Sequence, residues 1–243
     1  MSYLQFVVPV AVLIGLWLWR TSVNNRRTFE KVADGVESMR RAGLEQPRFV
    51  PVDGRDARDA RARQRFADAS RELETNGFVP LGELMEEKAN RSAMGVLAWF
   101  RDASGTICGW FGVLRGDKPV MLFFSETTSG EFFITTRGGA DLHVTQPPTV
   151  HHAHGPWAEG FINQLRQHRD QLAKRPGANL TRVQSPAEGT ELLRRLRASV
   201  ATWRAAQPHA VLLEGDLRRI LRDKYENLGP GVLKVFAARG TTR

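Results

Sequence analysis

Four short runs in the middle of the chain decide its fold: Met94–Arg101 (MGVLAWFR), Ile107–Leu114 (ICGWFGVL), Val120–Thr127 (VMLFFSET) and Glu131–Thr136 (EFFITT). Aromatic and branched residues dominate them, as on a buried pleated surface. Between them stand Asp102-Ala103-Ser104-Gly105, Arg115-Gly116-Asp117-Lys118-Pro119 and Ser129-Gly130, connections of hairpin length built from turn residues. The pattern predicts an antiparallel meander of four to five strands over 78–137, with Phe78–Lys88 as the more polar edge strand.

Tandem aromatics run through this meander: Trp99-Phe100, Trp110-Phe111, Phe123-Phe124 and Phe132-Phe133. Successive side chains of a strand point to opposite faces, so each pair sets one ring on either side. A sheet wetted on one face does not suit that arrangement. Helices covering both faces are expected, the alternative being a face that lines a cavity for an apolar ligand. Trp99, Trp110, Phe111, Phe123 and Phe133 are expected in one buried cluster, closed by Trp157 and Phe161 and by Trp203.

Helical spacing flanks the meander on both sides. A charged helix is predicted over 57–75, with Phe66, Ala69 and Leu73 as its narrow apolar stripe and Asn76-Gly77 as its stop. Downstream, helices are predicted over 156–175, 186–206 and 216–227. Pro156 suits a first turn, Ser185-Pro186-Ala187-Glu188 has capping-box spacing, and Gly229-Pro230 is read as the end of the last helix. The whole is α+β.

The N-terminus reads differently. No charged side chain occurs from Met1 to Trp19. A helix of that length covers roughly 28 Å, close to the hydrocarbon thickness of a bilayer. Tyr3 at one end and Trp17 and Trp19 at the other fall where interfacial aromatics belong. Residues 1–19 are therefore expected to be a single-pass transmembrane anchor, uncleaved because neither a basic start nor a small-residue cleavage site frames them. Arg20, Arg26, Arg27 and Lys31 follow the span at once, which puts the C-terminal bulk in the cytoplasm. Residues 20–56 read as a helical stalk and linker, and residues 57–243 as an α+β soluble domain.

Net charge is +9, and residues 160–243 carry 16 Lys/Arg against 7 Asp/Glu. For a chain tied to a bilayer, that excess suits anionic headgroups, with Arg20, Arg26, Arg27, Arg194, Arg195, Arg218, Arg219 and Arg222 as the contact residues. A protein partner is the other option. Nucleic acid is not expected, since no exposed aromatics interleave with the basic residues. The lone Cys108 excludes an intramolecular disulfide framework and reads as an inert buried thiol.

One cluster carries chemistry. Asp141, His143, His151, His152 and His154 crowd the segment 141–154, and imidazoles at such spacing can ligate a transition metal. His143, His151, His152 and His154 are the candidate ligands, although the segment also reads as a plain polar surface loop. His168 lies on the apolar face of its helix and reads as a satisfied core histidine. Glu83, Glu86 and Glu87 read as a solvated edge, and Gly109 and Gly112 lie inside a strand rather than in a phosphate loop. No catalytic set and no cofactor loop is visible. The expected function is a membrane-anchored, non-enzymatic binding, sensor or scaffold domain. The alternative is a metal-dependent enzyme built on the histidine-rich loop.

Overall fold

The computed structural model describes residues 25–41, 44, 48–52, 60–86, 96–114, 118–137, 144–155 and 160–240. The expected anchor 1–19, Arg20, His143, Asp141, Glu87 and Trp157 lie outside the described residues. Among the described residues, no helix is long and apolar enough to cross a membrane.

Two compact units emerge. One joins helix α1 (25–41), Val144-Thr145 and the segment from Ala206 onward, and the other holds the sheet with its helices up to Ala205.

The sheet unit is built on seven strands in sequential order: β1 Phe49–Pro51, β2 Phe78–Glu86, β3 Val96–Asp102, β4 Cys108–Leu114, β5 Lys118–Glu126, β6 Phe132–Arg137 and β7 Val150–Gly155. From β1 to β6 every pairing is antiparallel, so the meander over 78–137 has its five strands. Two further strands correct that reading. The presumed linker at 48–56 supplies β1, which pairs with Leu84–Glu86. Part of the presumed histidine-rich loop supplies β7, which runs parallel to β6. Neither segment advertises itself: β1 is three residues long and ends in proline, and Val150–Gly155 is poor in strand formers. Long-range pairing imposes both.

Helices cover both faces of the sheet. On one face lie α2 (Ala60–Thr75) and α3 (Phe161–Ala173). Phe66, Ala69 and Leu73 of α2 and Phe161 and Leu165 of α3 join Phe78, Val96, Ala98, Phe100, Phe111, Met121 and Phe123 in one core. Edge-on ring contacts knit it: Phe66 to Phe111 at 5.0 Å and Phe111 to Phe161 at 5.4 Å. α2 ends as expected at Asn76-Gly77, where Gly77 takes a φ of 83° that favours glycine. On the opposite face lies α4 (Pro186–Ala205). Its Gly189 lies so close to the Trp99 ring that a Cβ there would come within 2.7 Å of it.

The single aromatic cluster is therefore corrected to two. Trp99, Trp110, Phe111, Phe123 and Phe133 are all buried. Phe111 and Phe123 belong to the α2/α3 core, whereas Trp99 faces α4 with its ladder partner Trp110 on the same side. Strand alternation forces that split. Trp203 is half-buried on α4. The capping box at the start of α4 forms: the Ser185 hydroxyl accepts from the Glu188 N–H at 3.2 Å. The return bond slips one residue, since the Glu188 carboxylate accepts from the Gln184 N–H at 2.8 Å.

In the helical unit α1 packs as part of a core rather than standing free as a stalk. Its Ala33 and Val36 are buried with Leu213 and Leu217 of α5 (His209–Leu221) and Tyr225, Val232 and Phe236 of α6 (Tyr225–Ala238). The expected helix 216–227 is corrected at both ends. It starts at His209 and breaks at Arg222, the lone described non-glycine residue at positive φ (50°). Gly229-Pro230 does not stop α6, which continues to Ala238. The reason is packing: a Cβ at Gly231 would collide with the Phe29 ring of α1, and one at Gly229 with Tyr225. Gly229 and Gly231 serve as close-approach surfaces.

Candidate functional site

Strand pairing determines which chemistry-bearing residues meet on the α4 side. Reading the register across the sheet, Trp99 pairs with Trp110, Trp110 with Leu122, Leu122 with Thr136 and Thr136 with His154. These five residues make one row across β3–β7. The neighbouring row on the same face is Arg101, Cys108, Phe124, Ile134 and His152.

The histidines of β7 divide between the faces. His152 and His154 are half-buried on the α4 side and converge on one oxygen. The Thr136 hydroxyl lies 2.9 Å from His152 Nε2 and 3.1 Å from His154 Nδ1. A hydroxyl can accept from one imidazole and donate to the other, so both rings are held. His151 points to the other face, stacked on Phe133 at a centroid distance of 4.7 Å with its Nε2 3.4 Å from Glu131. Among the described residues no three His, Cys, Asp or Glu side chains are grouped to hold a metal ion. The spacing His152-Ala153-His154 carried the signal for the shared face.

Trp99 and Trp110 are buried, as their place in the meander predicts. Trp99 is 0% and Trp110 5% exposed. Neither indole Nε1 has a hydrogen-bond partner among the described residues. A buried donor left unmade costs about 1–3 kcal/mol, and native proteins carry few of them. Here two stand on one ladder pair.

On the α2/α3 face the buried donors around His168 are paired, while Gln164 Oε1 has no partner among the described residues. His168 is fully buried, with Nε2 3.1 Å from the Ser125 hydroxyl and Nδ1 3.0 Å from that of Thr135. Ser125 itself donates to the Thr106 carbonyl at 2.7 Å. Gln164 donates to the carbonyls of Met121 and Thr135 at 3.0 and 2.8 Å. This is a satisfied core histidine, as its place on the apolar helix face predicted. Burial lowers its pKa to about 3, with Asp102 opposing and Arg169 assisting. Cys108 is likewise buried, and burial pushes its thiol well up.

His168 makes stability depend on pH with a definite sign. The unfolded chain takes up a proton near pH 6.5, and the folded chain resists it until about 3. The stabilisation is complete above 6.5 and is lost as pH falls toward 3, at up to about 1.4 kcal/mol per unit. Denaturation midpoints of wild type and His168→Gln between pH 7 and 4.5 should therefore converge on acidification. Parallel profiles would contradict the assignment.

The basic residues are mostly engaged. Arg194 bonds Glu191 twice at 2.6 Å, and Arg26 bonds Glu30 at 3.0 Å. Arg195 clasps Glu126 at 3.1 Å through Nε, and Arg218 bonds Glu214 while lying 4.2 Å over the Tyr225 ring. Arg27 and Arg222 are exposed and Arg219 is half-buried. The exposed pairs among these, Arg194–Glu191, Arg26–Glu30 and Arg218–Glu214, contribute little to stability and can be exchanged for other anions, whereas the Glu126 partner of Arg195 is buried.

No protein-family model, curated protein or solved structure matches this chain.

Proposed function

We propose that the chain is a membrane-tethered, non-enzymatic binding domain at the cytoplasmic membrane face, and that the α4 side of its sheet takes an apolar ligand. The observation that supports the binding face is the Trp99–Trp110–Leu122–Thr136–His154 row, in which two buried indole donors have no partner among the described residues. A sheet face built only for packing has no use for donors in apolar surroundings. The tether rests on the uncharged, apolar residues 1–19 and on Arg20, Arg26 and Arg27 behind them. Organic extraction of the purified full chain should release a co-purifying apolar compound in near-stoichiometric amount. A chain that yields none, and that gains no stability from any apolar probe, would refute the reading. Stoichiometric bound metal, lost together with activity on His152→Ala, would instead favour a metal-dependent enzyme.

Orientation has its own test. A reporter active only in the cytoplasm, fused after Arg243, should be active, and activity of an export-dependent reporter at that position would reverse the topology.

The arginines would add contact with anionic headgroups. A version lacking residues 1–20 should bind anionic vesicles at low salt and leave them near 1 M, where the Debye length is about 3 Å. Replacing Arg218, Arg219 and Arg222 by glutamine should weaken binding several-fold. Vesicle binding indifferent to salt would remove the electrostatic component.

A further inference from the structure

The α4 side of the sheet ends at β7 in two imidazoles, and their geometry is that of a chelate. His152 and His154 stand two residues apart on one strand, so both leave the same face, with the small Ala153 between them on the other. Their nitrogens converge. His152 Nε2 at 2.9 Å and His154 Nδ1 at 3.1 Å from the Thr136 hydroxyl oxygen cannot be more than about 6 Å apart. Two nitrogens on one tetrahedral ion lie roughly 3.3 Å apart at metal–nitrogen distances of about 2.0–2.1 Å, a gap that small side-chain rotations close. Packing accounts poorly for the pair. The rows that end in these histidines are otherwise largely apolar, with Trp110 and Leu122 in one and Phe124 and Ile134 in the other. Such residues bury without ring nitrogens to satisfy.

The other strand and core histidines are excluded by their place. His151 faces away, stacked on Phe133, and His168 is fully buried with both nitrogens bonded. Imidazole suits zinc, copper and nickel, whereas magnesium and calcium take oxygen ligands. No third His, Cys, Asp or Glu joins the pair among the described residues, so Thr136 and solvent are left to complete the coordination. That is the donor set of an open site, weaker than a closed four-ligand one. The rings are half-buried on β7, the last strand of the sheet, which gives an ion a way in. We infer that His152 Nε2 and His154 Nδ1 chelate a divalent transition-metal ion at the β6–β7 edge, copper(II) more tightly than nickel or zinc. Such a site needs no apolar ligand near Trp99 and Trp110, and holding an ion is not turnover.

Copper(II) tests this on the full chain in mild detergent, stripped of metal by a chelator beforehand. One ion per chain should bind saturably at about 100 µM or below. Electron spin-echo modulation should count two coordinated imidazoles. His152→Gln and His154→Gln should each reduce that count to one. Losing an outer-shell partner of a metal site already costs about 10–100-fold, so losing either ligand should weaken binding at least about tenfold. His151→Gln, on the opposite face, should change the affinity less than about twofold. Bound zinc should raise the melting temperature of wild type and of neither His152→Gln nor His154→Gln. A wild-type count of one coordinated imidazole or none would overturn the inference, and that count needs no substitution, so it stands even where a variant folds poorly. An equal loss on His151→Gln would overturn it as well, as would failure of copper, nickel and zinc alike to bind.

Discussion

Replacing Trp110 by alanine should lower the unfolding free energy by about 3–5 kcal/mol, a large share of an ordinary domain's stability. The side chain is 5% exposed on the central strand β4, with Trp99 on one flank and Leu122 on the other as ladder partners. Its loss removes one of the largest apolar surfaces on the α4 side and leaves a cavity that rigid strands on both sides cannot close. Chemical denaturation of the full chain in mild detergent, followed by tryptophan emission, measures it. Trp110→Phe separates bulk from hydrogen bonding: it keeps most of the buried area and should recover more than half of the loss. A loss below about 1 kcal/mol for alanine would mean that Trp110 lines open space instead of packing.

Sequence pattern carried the meander because its signals are local. Turn residues at Asp102-Ala103-Ser104-Gly105 and Ser129-Gly130, and tandem aromatics between them, specify hairpins without help from distant segments. The capping box of α4 and the core place of His168 were legible for the same reason. What failed was non-local. β1 and β7 exist because β2 and β6 offer edges to pair with, and nothing in Phe49–Pro51 or Val150–Gly155 announces that. Gly229-Pro230, read as a stop, points the opposite way, and Gly231 follows it inside the helix. Their intrinsic penalty, about 1 kcal/mol for each glycine and 3 for proline, is offset by the approach of the Phe29 and Tyr225 rings. The candidate site shows the same division. The histidines were visible, but their sorting to two faces needed the strand, and the shared Thr136 oxygen needed the parallel register with β6.

Asp216→Ala should destabilise the helical unit by about 3–5 kcal/mol, because the buried carboxylate ties three segments together. It is 0% exposed. One oxygen accepts from the Thr145 N–H at 2.6 Å and the Thr145 hydroxyl at 2.8 Å, and the other from Arg40 Nε at 2.8 Å. Those bonds fasten α1 and the Val144-Thr145 segment to α5, and Gly215 lets Thr145 approach where any Cβ would collide. Removing the carboxylate strands Arg40, whose side chain is only 11% exposed, and leaves Glu37 as its other carboxylate partner at 3.2 Å. The cost is thus that of a largely buried cation left with the more exposed Glu37 alone, together with two Thr145 donors that lose their acceptor. Two comparisons isolate it. Asp216→Asn keeps an acceptor for Thr145 and should lose about half as much. In the double variant Arg40→Met, Asp216→Leu, no charge is left unpaired, and most of the loss should be recovered. Denaturation followed by far-ultraviolet circular dichroism gives all three values. If Asp216→Ala alone proved neutral, the buried pair would contribute nothing to holding α1 in the unit, and the contacts of Ala33 and Val36 would have to carry that role.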